Sequence, residues 1–207
     1  KVSMIFQEPM ASFAPAITIG DQMVELLLLH KKISKEKAKS TSIDMLDRVG
    51  IADADKRFKQ YAFELSGGMR QRAMIAMALS TMPKLLIADE PTTALDVTIQ
   101  AQVIDLIKDI VTEYKMGVIF ISHDLSVIAQ TVDYVAVMYL GTIVESGPVR
   151  EIISNPKHPY TQGLIEALPD LNNLDKPLKP IPGDIPNPLE RPIGCVFHTR
   201  CKLFESG

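Results

Sequence analysis

The chain has 207 residues, 46% of them hydrophobic and 23% charged, a globular composition with length for one to two domains that excludes a disordered tail. A formal net charge of −3 excludes the overall basic field that draws proteins to nucleic acid or anionic lipid. Apolar runs such as 26–29 and 118–121 fall far short of the ~20 residues that cross a bilayer, and two cysteines, Cys195 and Cys201, make no disulfide framework, so a reducing cytosol is the expected compartment.

The first residue is Lys1, strand-like residues 2–6 follow at once, and no charged start with an apolar stretch marks secretion. The chain therefore reads as cut from something longer. Gln7-Glu8-Pro9 ends the first strand, because proline pushes its predecessor out of the helical region, and a loop is expected next. Helical periodicity runs over 20–29 and again over 34–49, with Ser34 as N-cap and Gly50 as C-terminal stop. Ser66-Gly67-Gly68 opens a third helix, closed by Pro83.

The period then changes. Residues 85–88 are a continuous apolar run ending in Asp89-Glu90-Pro91, the pattern of a strand buried on both faces. Asp96 can cap the next helix, whose apolar stripe includes Ile99, Val103, Ile107 and Ile110. Gly117 restarts a strand over 118–121 that ends in Ser122-His123-Asp124 and feeds a short helix over 125–130. Strand and helix in alternation imply a parallel sheet. Residues 133–138 and 142–145 flank a turn at Leu140-Gly141, and short helical patterns follow at 149–154 and 159–167. Seven of the fourteen prolines lie between Pro169 and Pro192, so that stretch is expected to be an extended appendage.

Two acids at the end of a buried parallel strand sit where α/β proteins bind ligands, and two acids there need a cation. Alone, Asp89-Glu90 reads better as a surface pair capping the next segment. Ser66-Gly67-Gly68 places a hydroxyl and two glycines at a helix N-terminus, where free N–H groups and the helix dipole favour an anion. Alone, this is an ordinary capped helix start.

Together, and in this order, the segments match a known series. The sequence resembles the ATP-binding subunit of an ABC transporter: IFQEP with Gln7 is similar to the Q-loop, LSGGMRQR to the signature motif, LLIADEP to Walker B with its following Glu, TALD to the D-loop and ISHD to the switch histidine. NPKHPYTQGLIEALP and IPGDIPNPLERPIGCVFHTRC resemble the C-terminal extension of oligopeptide, dipeptide and nickel importer ATPases. The resemblance implies an α/β fold, a partial P-loop NTPase with a parallel sheet. Its expected blocks are the Q-loop strand and loop (1–15), a helical subdomain (16–82), the rest of the ATPase core (83–148) and the extension (149–207).

The resemblance also implies roles. ATP and Mg²⁺ are the expected cofactors, with Glu90 as general base, Asp89 as Mg²⁺ ligand, His123 as γ-phosphate contact and Gln7 touching the metal or the water. Ser66, Gly67, Gly68 and Gln71 belong to the segment that meets the nucleotide of a second ATPase subunit, and Asp96 to the interface beside it. Transmembrane permease subunits are the expected partners, docked on the helical block, with a substrate-binding protein acting indirectly and no nucleic acid. The expected location is the cytoplasmic face of the cell membrane, as a peripheral subunit. Cys195 and Cys201 match positions that in this group ligate an iron–sulfur cluster, but two thiolates are half of such a set. With His198 between them the run offers three ligands, one short of the four that a structural zinc site takes.

One departure stands out. No G-x-x-x-x-G-K-[ST] stretch occurs in these residues, so the loop that cradles the β- and γ-phosphates is not among them. The expectation is a C-terminal piece of an ATPase that neither binds ATP tightly nor hydrolyses it alone. The alternatives are a nickel importer ATPase and the ATPase head of a DNA-maintenance protein. The latter inserts long coiled coils, which the short span from Gln7 to Ser66 lacks.

Overall fold

A computed structural model describes residues 1–92, 95, 97–168 and 180–205, in two compact units, Lys1–His123 and Asp124–Gly207. In the first unit, strands β1 (Val2–Ile5), β2 (Leu85–Asp89) and β3 (Gly117–Ile121) form a parallel sheet in that order. Ile5 lies beside Ala88 and Ala88 beside Phe120, so all three strands run out at one edge of the sheet.

Parallel neighbours need long crossovers. The first carries α1 (Pro9–Ser12), α2 (Ile19–His30), α3 (Lys35–Arg48), α4 (Ala54–Phe58) and α5 (Gly67–Ser80); the second carries α6 (Val97–Tyr114). Hydroxyl side chains start the longer helices of the first crossover: Thr18, Ser34 and Ser66 accept the backbone N–H of Asp21, Lys37 and Met69 at 3.1, 3.2 and 3.3 Å. Helix α3 stops at Gly50, whose φ of +77° lets the Ile51 N–H return to the Leu46 carbonyl at 3.1 Å. Leu27, Leu46, Ile75 and Leu79 from these helices pack with Ile5, Leu86 and Ala88 of the sheet and Val103 of α6 in one buried core.

Three expectations need correction here. The loop expected after Pro9 contains the single turn α1, because proline's fixed φ suits a first helical position where its missing N–H costs nothing. Helix α4 and a 3₁₀ turn over Ala62–Glu64 were not anticipated, being too short to carry a period. Strand β2 is not buried on both faces: Leu86 and Ala88 are buried, Leu85 and Ile87 only half-buried, and Ile119 and Ile121 of β3 are 49% and 44% exposed. A continuous apolar run permits burial on two sides, but what packs on each side is a tertiary matter. The expected cap Asp96 lies outside the described residues.

In the second unit, Asp124 caps α7 (Leu125–Thr131) by accepting from the Ser126 N–H at 2.8 Å. Strands β4 (Tyr134–Tyr139) and β5 (Thr142–Pro148) form an antiparallel hairpin. Its turn residues Leu140 and Gly141 both have positive φ, 45° and 72°, the geometry that matches strand twist in a two-residue loop. Helices α8 (Val149–Ser154) and α9 (Pro159–Glu166) follow.

The proline-rich stretch is irregular where it is described, 180–192, and residues 169–179 lie outside the described set. Prolines offer no N–H to a ladder, so side chains hold this segment instead. The Arg200 guanidinium donates to the Pro182 and Ile181 carbonyls, each at 2.9 Å, and Arg191 to the Leu140 carbonyl at 2.9 Å. Phe197, 2% exposed, packs among Tyr139, Tyr160 and His158.

Candidate functional site

The parallel register brings three separated polar residues to one edge. Gln7 lies two residues past β1, Glu90 one past β2 and His123 two past β3. The Gln7 amide donates from Nε2 to Glu90 Oε2 at 2.9 Å, and His123 Nδ1 meets Glu90 Oε1 at 3.0 Å. Because a carboxylate only accepts, the His123 tautomer assigned by this contact carries its proton on Nδ1. The Glu90 side chain is 20% exposed and that of His123 76%, so the carboxylate is shielded while the imidazole faces outward.

Glu90 is held in an uncommon backbone state, φ +43°. A non-glycine residue there costs on the order of 1–3 kcal/mol and persists only where neighbours over-determine it. Its N–H donates to the Ile121 carbonyl at 3.0 Å, which ties the turn to the adjacent strand. Asp89, the last residue of β2, is half-buried immediately before it. The Asp89 carboxylate and the Gln7 amide oxygen are hard oxygen donors of the kind Mg²⁺ takes. They fit that ion provided waters or phosphate oxygens complete its octahedral shell.

The signature-like segment stands apart from this cluster in its bonding. Ser66 and Gly67 are exposed at the start of α5, and the Ser66 hydroxyl is engaged with Met69. A Cβ at Gly67 would meet nothing nearer than an Arg70 terminal nitrogen at 4.0 Å, so the space beside this residue at the helix start is open. Gln71, grouped with these by its motif, is placed differently. It is 1% exposed and its Nε2 donates to the Pro91 carbonyl, next to Glu90. Sequence reasoning missed that tie, although a signal was present: Gln71 shares a helical stripe with Met74, Ile75 and Ala78, all buried.

Cys195 is exposed and Cys201 half-buried, and His198 Nδ1 is engaged with the Cys195 carbonyl at 2.9 Å. Among the described residues no group of three or more His, Cys, Asp or Glu is placed to hold a metal ion. The iron–sulfur expectation therefore finds no support. No described helix is long and apolar enough to cross a membrane.

Comparison with known proteins decides the family. The ABC transporter family profile matches residues 1–93, and that of the oligopeptide/dipeptide transporter C-terminal region matches 144–206. A putative peptide import ATP-binding protein of Brucella melitensis is 52% identical over 98% of the chain. The chain belongs to the ABC transporter family. The oligopeptide transport ATP-binding protein OppD of Salmonella typhimurium is 50% identical over 97% of it. The chain spans about three fifths of the length of these curated relatives, 62% of the first and 60% of the second. The solved structure of cbiO1 from Clostridium perfringens, part of an ABC transporter complex, is similar with a TM-score of 0.63 and 26% identity over 74% of this chain and 59% of that one. The ABC fold accounts for the motif order, since its parallel strands deliver Gln7, Glu90 and His123 to a common edge.

Proposed function

We propose that this chain is part of the ATP-hydrolysing subunit that energises import of oligopeptides or dipeptides through membrane permease subunits. The observation that supports this reading best is the Gln7–Glu90–His123 cluster at the strand ends, joined in one chain to the peptide-transporter C-terminal region. The same region favours a peptide importer over a DNA-maintenance ATPase, and a nickel importer is the neighbouring alternative. The subunit works as one of an ATPase pair, bound peripherally at the cytoplasmic face, with the helical block 16–82 toward the permease.

The residues divide the work. Glu90 accepts a proton from the attacking water, its carboxylate oriented by the Gln7 amide and the His123 ring. With Nδ1 on Glu90, His123 presents Nε2 outward, an acceptor when the ring is neutral and a donor when it is protonated; contact with an anionic phosphate oxygen uses the donor form. Asp89 and Gln7 supply oxygen ligands to Mg²⁺, which when bound supplies positive charge against the phosphates. Ser66, Gly67 and Gly68 present backbone N–H groups to the nucleotide held by the second subunit. Asp96 belongs to the same interface. The glycine-lysine loop for the β- and γ-phosphates is supplied from outside these 207 residues.

The test is steady-state MgATP hydrolysis by the full-length gene product beside its Glu90→Gln variant, in membranes with its permease and peptide substrates. Turnover stimulated by peptide in the parent and lost in the variant, with ATP binding retained, is the expected result. Turnover that survives Glu90→Gln refutes the base assignment, and stimulation by nickel but not by peptide refutes the substrate class.

A further inference from the structure

We propose that Gln71 is a positioning residue that locks the backbone of Glu90 and so couples helix α5 to the general base. The inference rests on the ATPase reading of the Glu90 site and adds a residue to it. Glu90 is flanked by two hydrogen bonds to different elements: its own N–H reaches the Ile121 carbonyl on β3 at 3.0 Å, and the carbonyl of the next residue, Pro91, accepts from Gln71 Nε2 on α5. Between those anchors few torsions remain, because the proline ring fixes the φ of Pro91. What remains is the φ and ψ of Glu90 and the ψ of Pro91, and of these the Glu90 φ of +43° is the strained value. Two clamps around one residue are what over-determination of a left-handed glutamate requires.

Gln71 is built for this use. A polar side chain that is 1% exposed on a stripe with Met74, Ile75 and Ala78 costs desolvation energy, which packing alone does not require. Its amide nitrogen donates to the carbonyl of Pro91, the residue that follows the base. Without that bond Glu90 is free to relax toward an ordinary φ, which swings its carboxylate out of reach of Gln7 and His123. Gln71 also lies five positions after Ser66 on α5. A displacement of the helix start by a nucleotide phosphate is therefore transmitted through a rigid helix to the backbone beside Glu90. Arg72 braces the same helix, donating to the Val49 carbonyl at 2.6 Å and to Gln102 Oε1 on α6 at 2.9 Å.

The test uses Gln71→Met, which keeps length and volume but removes the donor, and Gln71→Asn, which keeps the amide but withdraws it by one methylene. In the 207-residue chain, amide hydrogen exchange over residues 89–92 is expected to quicken at least about tenfold in both variants while the thermal midpoint stays near the parent's. In the full-length ATPase, kcat is expected to fall about 10- to 100-fold with KM for ATP within about twofold. Placed on Glu90→Gln, the same substitution is expected to change the residual rate less than about twofold, since a residue acting through Glu90 has nothing left to position.

Unchanged exchange at 89–92 overturns the proposal whatever the activity. So does an equal loss of rate in the parent and Glu90→Gln backgrounds, which marks a general packing role. If Glu90→Gln itself hydrolyses ATP at the parental rate, the assignment of Glu90 as general base fails, and the exchange measurement still judges whether Gln71 holds the turn.

Discussion

Gly20→Ala probes the packing that holds the helical block together. Gly20 lies in the first turn of α2, and a Cβ added there would meet the Phe58 ring of α4 at 2.3 to 2.4 Å. Ordinary carbon contacts are about 3.5–4.0 Å, so the ring must retreat by more than an ångström. Phe58 is only 7% exposed and belongs to the buried core, so the ring has little room to retreat. Overpacking of this kind costs about 1–3 kcal/mol, and an overlap this deep belongs at the upper end. Alanine in place of glycine returns about 1 kcal/mol of helix propensity. The net expectation is a loss of about 2 kcal/mol. Urea unfolding followed by far-UV circular dichroism reads it, fitted to the transition that contains the first unit. Gly20→Ala combined with Phe58→Leu should be less destabilised than the sum of the two single changes, because the smaller side chain makes room for the methyl. A Gly20→Ala protein stabilised by about 1 kcal/mol would show that propensity alone governs the site and that the close approach is not a constraint.

Lys115 stands at φ +50° just past α6 and is exposed, so Lys115→Gly should stabilise by about 0.5–1 kcal/mol in the same urea titration. Glu145 loses solvation on burial, but the Thr161 hydroxyl together with the Lys157 and His158 N–H groups, which donate at 2.7 and 3.0 Å, offsets this and holds its carboxyl below the usual range. A depressed carboxylate lends stability above its unfolded value, about 4.3, and that stability is lost as pH falls through the folded value. Glu145→Gln should flatten the acid limb of a stability–pH curve for the second unit. Burial holds His158 below its ordinary value, against the pull of Glu145, and its Nδ1 accepts the Tyr160 N–H at 3.1 Å as the cap of α9. Its contribution is complete above about 6.5 and is lost as pH falls from there through the folded value, so His158→Asn should move the loss of near-UV dichroism to lower pH. Ser66→Ala should cost at most about 1 kcal/mol of stability, the worth of an exposed cap, while lowering ATPase activity in the full-length protein far more.

The motifs were legible because each combines residue types that local physics rarely assembles by chance. Ser34 and Ser66 announced helix starts, Gly50 a helix stop and Leu140-Gly141 a two-residue turn, and each behaves as its backbone preference dictates. Short elements were invisible, since α4 and the turn over Ala62–Glu64 offer less than two periods to read. Gln71 was legible as part of a motif, but its tie to Pro91 was not, because the motif names the residue while its partner is set by which way the helical stripe faces in the packed chain.

Sequence alone determined the order of the strands and the longer helices, the identities of Gln7, Asp89, Glu90 and His123, and the family that their order marks, because those follow from period, breakers and residue chemistry along one chain. Only the tertiary structure decided that Gln7 and His123 meet on the two oxygens of one carboxylate, that Glu90 is turned into a left-handed φ, and that Gln71 faces Pro91. Contacts between positions 83 or 33 residues apart are set by how β1 and β3 register against β2, and register is a property of packed strands.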